Sequence, residues 1–360
     1  MLPPDAPVLL LQHHGLDNLG GKTGLALLRY RRGPVLAVVD PAHAGAHLPE
    51  ITGIPRVVPI LGSVAEALPM LPAAAQTWAV VGLAPSGGRL PAELHQDLAT
   101  ALDGGLSVAS GLHTRLADDP ALASLLHPGR TIWDLRQEPP QPVVGSARAA
   151  SLPGRRLLAV GSDMSVGKMS ACLELQLAAG QAGRDARFVA TGQAGILIAG
   201  SGVALDAVRV DYASGAVEQA VLEAAADASA DTLVLVEGQG SFCHPGSTAT
   251  LPLLRGSQPT DLLLVHRAGQ TAIRNQPHIT VPPLPQLIAT LEAMAALARP
   301  FDAPSPPARV VAIALNTAHL DGAAAAAARA ETAALTGLPC HDPVREGGRD
   351  LLATLAAAWL

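Results

Sequence analysis

The segment Gly161-Ser162-Asp163-Met164-Ser165-Val166-Gly167-Lys168-Met169-Ser170 has the residue types and spacing needed to bind phosphate. It follows an apolar run of strand character at 157–160 and leads into a stretch of helical character at 171–179. A glycine-rich turn between strand and helix aims unpaired backbone amides, and the positive end of the helix dipole, at an anion. Lys168 adds a compact ammonium charge that a planar guanidinium would not reproduce. That lysine is informative, because 22 of the 24 basic residues are Arg and only Lys22 and Lys168 are Lys. Standard phosphate loops follow the lysine with a Ser or Thr that holds Mg²⁺. Here Met169 stands in that place and Ser170 comes one residue late. Phosphate binding is expected from this segment, and Mg-dependent hydrolysis is not. The competing explanation is a glycine-rich turn that only caps a helix.

A second carrier of chemistry is Thr232-Leu233-Val234-Leu235-Val236-Glu237-Gly238-Gln239-Gly240-Ser241, an apolar strand ending in an acid and a glycine-rich loop. In an open α/β sheet the ligand sits beyond the carboxyl ends of the strands. Glu237 is therefore expected to face the Lys168 loop, as a base or a metal ligand; a capping or salt-bridged acid is the plainer alternative. His244, on the loop leaving that strand, is a candidate acid, base or donor. Cys243 reads as a small packed hydrophobe. Asp206 and Asp211 are candidates for gripping an amine or ordering water, or are simply cap and surface acids. Gln193, after the strand end at Thr191-Gly192, is expected to reach the same pocket. Arg274, beyond His266-Arg267-Ala268-Gly269-Gln270, could clamp a carboxylate as a bidentate pair.

These groups need elements to position them. In the first half, apolar runs at 35–40, 78–83 and 106–111 read as buried parallel strands, with a helix over 91–103. In the second half, strand candidates fall at 157–160, 188–191, 232–236, 262–265 and 310–315, with helices between them. The predicted fold is α/β: a Rossmann-like N-terminal domain followed by a P-loop NTPase-like, doubly wound parallel sheet. The expected division is 1–136 for the first domain, a Pro-rich linker at 137–156, and 157–360 for the second. Lys22 lies in Asn18-Leu19-Gly20-Gly21-Lys22-Thr23-Gly24, which looks like a second anion-binding turn without a convincing strand directly before its first Gly. This turn, Ser86-Gly87-Gly88-Arg89 and Ser110-Gly111-Leu112-His113 are expected to face a cleft between the domains.

Composition narrows the function class. The net charge is −6, only 15% of residues are charged and 2% aromatic, and no basic run occurs, which argues against nucleic acid as a partner. Pro, Gly, Arg or His interrupts every apolar stretch, so no membrane span is expected. The start Met-Leu-Pro-Pro-Asp lacks the basic region of a signal peptide. Three separated cysteines, Cys172, Cys243 and Cys340, form neither a disulfide framework nor a zinc spacing, and a cytoplasmic location is expected. So apolar a chain is expected to form a homo-oligomer, with no particular patch singled out.

The phosphate loop, with five residues between Gly161 and Gly167, resembles that of dethiobiotin synthetase and its relatives. Several further segments resemble one two-domain P-loop family over almost the whole chain. They are residues 18–23, 82–91, 110–113, 163–168 and 236–240, with His244-Pro245 and Ala314-Leu315-Asn316-Thr317. That family is named for a D-glutamate N-acetyltransferase, and its members need not share one substrate. The resemblance implies transfer of acetyl from acetyl-CoA to the amine of D-glutamate or a related amino acid. CoA carries a pyrophosphate, so a phosphate loop without the Mg-binding hydroxyl suits it. The roles then expected are Glu237 or Asp211 as base, and His244 or loop amides as donors to the oxyanion. Arg274 or Lys22 would clamp the carboxylates. Two other readings stay open: ATP and Mg²⁺ activating a carboxylate in a ligase or kinase of the dethiobiotin synthetase type, and a nucleotide-binding regulator.

Overall fold

The computed structural model describes residues 1–71, 76–84 and 90–359. The Ser86-Gly87-Gly88-Arg89 loop lies outside the described residues. The chain forms two compact units, one of residues 1–137 with 193–204, the other of residues 138–192 with 205–360.

The first unit carries strands β1 (Val8–Leu11), β2 (Val35–Val39), β3 (Ile60–Leu61), β4 (Trp78–Val81), β5 (Ser107–Ser110) and β6 (Ile132–Asp134). Between them run α1 (Lys22–Tyr30), α2 (Leu48–Thr52), α3 (Val64–Ala67), α4 (Ala92–Asp103) and α5 (Pro120–Ala123). The strands are all parallel, in the order β3-β2-β1-β4-β5-β6. This is the doubly wound order, with its switch point between β1 and β4. β1 is a four-residue buried run, Val-Leu-Leu-Leu, that the sequence reading passed over. Residues 12–19 separate it from Gly20, so no strand runs directly into the turn at Lys22.

The second unit carries β7 (Arg155–Gly161), α6 (Lys168–Gln181), β8 (Ala186–Val189), α8 (Val210–Ala224), β9 (Leu233–Val236), α9 (Thr250–Ser257) and β10 (Asp261–Arg267). Between β8 and α8 the chain forms α7 (Gln193–Ala199), which belongs to the first unit. An antiparallel hairpin, β11 (Ala272–Ile273) with β12 (Gln276–Thr280), follows β10. Next come α10 (Leu284–Ala298), β13 (Arg309–Asn316), α11 (Gly322–Thr336), β14 (Cys340–His341), α12 (Pro343–Glu346) and α13 (Arg349–Ala358). The main sheet is parallel throughout, in the order β14-β13-β10-β7-β9-β8. β7 lies at the switch point, flanked by β10 on one side and β9 on the other. Its core is built from Leu157, Ala159, Leu235, Leu263, Val265 and Ala312 on the strands, against Ala171, Cys172 and Leu175 on α6.

Two expectations about organisation change. Residues 193–204 group with the first unit, where α7 packs on α1. The buried Arg31 guanidinium holds them there, donating to Leu197 O at 2.7 Å and to Pro3 O and Ala6 O at 2.7 and 2.8 Å. The stretch expected as a linker, 137–156, groups with the second unit from residue 138 onward. It is tied down by Glu218, a fully buried acid on α8 that accepts the backbone N–H groups of Ser146, at 2.9 Å, and of Arg148. Glu218→Ala removes the shared acceptor of both amides and empties the space of a fully buried carboxylate, and urea denaturation is expected to show a loss of about 2 kcal/mol.

Candidate phosphate site

The loop leaving β7 has the shape its glycines allow. Gly167 takes φ = 116° and Ser165 φ = 55°, and the first of these is open in practice only to glycine. Three bonds pin the loop. Ser162 N–H donates to Val265 O at 3.1 Å, Asn316 Nδ2 to Val166 O at 3.0 Å, and Lys168 Nζ to Asp163 O at 2.9 Å. The first intrahelical bond of α6 runs from Ala171 N–H to Gly167 O. Ahead of it, the amides at 167–170 meet no protein acceptor among the described residues, which leaves them for an anion.

The stem of Lys168 passes between two glycines. A methyl group on Gly161 would stand 2.9 Å from Nζ, and one on Gly238 would stand 2.8 Å from Lys168 Cδ and 1.7 Å from Ala159 O. Burial lowers the ammonium pKa to about 8, against the raising pull of Asp163 and Glu237. Glu237, 4% exposed, is near enough for its charge to act on the lysine. Its Oε2 accepts from Thr191 N–H at 2.9 Å and Gly192 N–H at 3.2 Å, and Oε1 accepts from Gln239 Nε2 at 3.1 Å. Burial raises this carboxyl to about 7, although those amides and Lys168 favour its ionised form. A carboxyl poised near neutrality is suited to take a proton.

The Asp163 carboxylate works inside the protein. It accepts Met164 N–H at 2.6 Å, Gln270 Nε2 at 2.6 Å and Arg274 N–H at 2.8 Å, binding the phosphate loop to the β11–β12 hairpin. Arg274 is thereby anchored by its backbone next to the loop, with its side chain exposed. Ser162 Oγ and His266 Nδ1 share a 2.8 Å hydrogen bond, and burial lowers the imidazole to about 4, so His266 is neutral. His244 Nδ1 accepts Gly246 N–H at 3.1 Å, which leaves Nε2 to carry the proton of the neutral ring. Burial pushes the Cys243 thiol up, consistent with a packed residue.

Beside the loop lies a cavity of about 300 Å³. Val166, Gly167, Ser170 and Ala171 form one wall, and the ends of β10 and β13 with residues 342–345 form the rest. Ser170 lines this cavity and Met169 does not, so the hydroxyl displaced by one position serves a different surface from the standard metal ligand.

Four candidates remain. Asp211 stands exposed in the first turn of α8, where a carboxylate favours the helix end, and is not among the groups that shift Glu237 or Lys168. Asp206 is exposed in a short turn, Leu205–Ala207. Gln193 belongs to the first unit as the opening residue of α7, and Lys22 is exposed as the opening residue of α1. The first unit also holds a cluster the sequence reading missed, where β1 and β2 end. His13 Nε2 meets Asp97 Oδ2 at 3.0 Å, and the fully buried Asp40 accepts His14 N–H at 2.9 Å and contacts His43 Nδ1 at 3.2 Å. The adjacent histidines after an apolar run were its available signal. Among the described residues no group of His, Cys, Asp and Glu is arranged to hold a metal, and no helix is long and apolar enough to cross a membrane.

Two family models cover this architecture. Residues 41–138 match a Rossmann-like domain of unknown function, DUF1611_N, and residues 143–352 match the P-loop domain DUF1611_C. The chain belongs to the DUF1611 family. A crystal structure of a DUF1611 family protein from Anabaena variabilis is 51% identical, with a TM-score of 0.90, covering 98% of this chain and 100% of that one. Two curated relatives are named D-glutamate N-acetyltransferase. The one from Tritonibacter scottomollicae is 35% identical over 98% of this chain and 99% of its own. The one from a Pseudoalteromonas species is 36% identical over 77% of this chain and 80% of its own. The Rossmann-like and P-loop units described above are thus those of DUF1611.

Proposed function

We propose that this chain is an N-acetyltransferase that moves acetyl from acetyl-CoA to the amine of D-glutamate or a related amino acid. The names of the two curated relatives support the reaction class. The carrying observation is a phosphate loop with free amides at 167–170 and a buried lysine, but with Met169 where a Mg²⁺-binding hydroxyl belongs. Such a loop suits a ligand whose phosphates are held and never cleaved. CoA is one, and when bound it supplies a thioester carbonyl.

The protein's own part is proton handling and charge placement. An amino group attacks only as the free amine, so a base must take its proton; Glu237, near neutrality, fills that role. The new C–N bond forms as the C–S bond breaks, and the sulfur leaves as a thiol with one proton. His244 Nε2–H is a donor for the carbonyl oxygen as charge develops there, and Arg274 is the clamp for the amino-acid carboxylate.

The test is to incubate the protein with D-glutamate and either acetyl-CoA or Mg-ATP, following free thiol and ADP. Thiol release that depends on D-glutamate, without ADP, is the expected result. ADP formation without thiol would replace this proposal with an ATP-dependent one.

A further inference from the structure

The β11–β12 hairpin is too small to hold itself in place. Its arms have two and five residues, and among the described residues it pairs with no other strand. A two-stranded hairpin is marginal in water, so contacts outside it set its position. One anchor is Ile273, 1% exposed. The other is Asp163 on the phosphate loop, whose Oδ2 takes Gln270 Nε2 at 2.6 Å and Arg274 N–H at 2.8 Å. Gln270 Nε2 gives its second hydrogen to Ala272 O at 2.9 Å. Both neighbours of that nitrogen are acceptors, so the amide fits in one orientation only. A single side chain thus ties the loop to the first arm of the hairpin.

Arg274 opens the two-residue turn between Ile273 and Gln276, which pair across the hairpin. Asn275 closes the turn at φ = 64°, a left-handed conformation that Asn tolerates. The Arg274 backbone is therefore fixed while its side chain stays exposed. Asp163 also accepts Lys168 Nζ on its main-chain O at 2.9 Å. The phosphate-binding lysine and the turn that carries Arg274 are thus referred to one residue. We propose that Gln270 is a positioning residue for the acyl acceptor. With Asp163 it clips Arg274 at a set distance from the phosphate loop, so that the amino-acid carboxylate is held where the amine can meet the acyl group. The inference rests on the acetyl-transfer reading above and on Arg274 as its clamp. Gln270 acts through Arg274, since both its amide hydrogens are spent inside the protein. An arginine on a loosened turn loses more conformational entropy when it grips a carboxylate, and that cost falls on acceptor binding. The donor side is spared, because without Gln270 Asp163 still accepts Met164 N–H and Lys168 Nζ.

The experiment is steady-state thiol release by the full chain, with D-glutamate and acetyl-CoA varied in turn. Gln270→Met keeps the length of the side chain and removes both N–H donors. It should raise the D-glutamate KM about tenfold, with kcat and the acetyl-CoA KM within about threefold of wild type. Arg274→Ala should raise the D-glutamate KM by about 30-fold or more, the order of loss for a charged hydrogen bond. The double variant should match Arg274→Ala to within about twofold, because Gln270 has no effect once the arginine is gone. Gln270→Ala is the second variant should the first misfold; the position is half-buried, outside the core. An unchanged D-glutamate KM in both Gln270 variants would overturn the clip. So would effects of Gln270 and Arg274 that multiply in the double variant. An equal rise in both KM values would assign Gln270 to loop stability and overturn it as well. Absence of D-glutamate-dependent thiol release in wild type would instead remove the acetyl-transfer reading on which the clip rests.

Discussion

Replacing Glu237 by Gln is expected to cut kcat/KM for acetyl transfer by about 10²- to 10⁴-fold, the usual loss on removing a general base. The change keeps the size of the side chain and an oxygen to accept the Thr191 and Gly192 amides, so lost activity reports lost proton transfer. The pH profile carries the sharper signature. A base works when ionised, and burial places this carboxyl at about 7, so wild-type activity should rise as pH passes through that value. Binding phosphate needs Lys168 protonated, and its pKa of about 8 sets a falling limb above that pH. The Gln variant should lose the rising limb. Its falling limb should also move to lower pH, because the Glu237 charge is one of the two that raise Lys168. A variant that retained the rising limb would place the base elsewhere.

Lys168→Met is expected to weaken CoA and pyrophosphate binding by at least about 100-fold, which is about 2.7 kcal/mol at 1.36 kcal/mol per decade. Met fills most of the space of the lysine stem, so the core around α6 should survive. Lys168→Arg should not restore binding. The stem is confined between Gly161 and Gly238, where even an added methyl comes within 3 Å of it, and a guanidinium has nowhere to lie. Calorimetry at two pH values separates charge from shape. Wild-type affinity should fall as pH rises through about 8, and the Met variant should show no such fall. Full restoration by Arg would mean that the glycine confinement does not govern the choice of lysine.

The phosphate loop was readable because its lysine is one of two in the chain and its strand–turn–helix setting is continuous in sequence. Glu237 was readable for a similar reason, as an acid ending an apolar strand. Contacts between distant segments were not. Nothing local tells that Asp163 is spent on Gln270 and Arg274, over 100 residues away, and not on a ligand. Met169 and Ser170 look interchangeable in a motif, but their positions on α6 put only Ser170 on the cavity wall. β14, at two residues, is too short to stand out from loops by periodicity, whereas β1 is as long and as apolar as β4 and β9 and was legible in Val8-Leu9-Leu10-Leu11. Gln193-Ala194-Gly195-Ile196-Leu197-Ile198 reads as a buried helix whichever core receives it, so its membership of the first unit left no mark.

That membership bears on how the molecule can be taken apart. The first unit is assembled from both ends of an interval: residues 1–137 and, after a gap that spans β7, α6 and β8, residues 193–204. A gene cut at residue 138 would therefore produce an N-terminal fragment without α7. Its Arg31 guanidinium would lose Leu197 O as a partner. The complementary fragment would retain the segment with its own core partners missing, attached directly behind Thr191 and Gly192. The two units are accordingly interleaved parts of one folding polypeptide, not beads to be exchanged by recombination at a single junction.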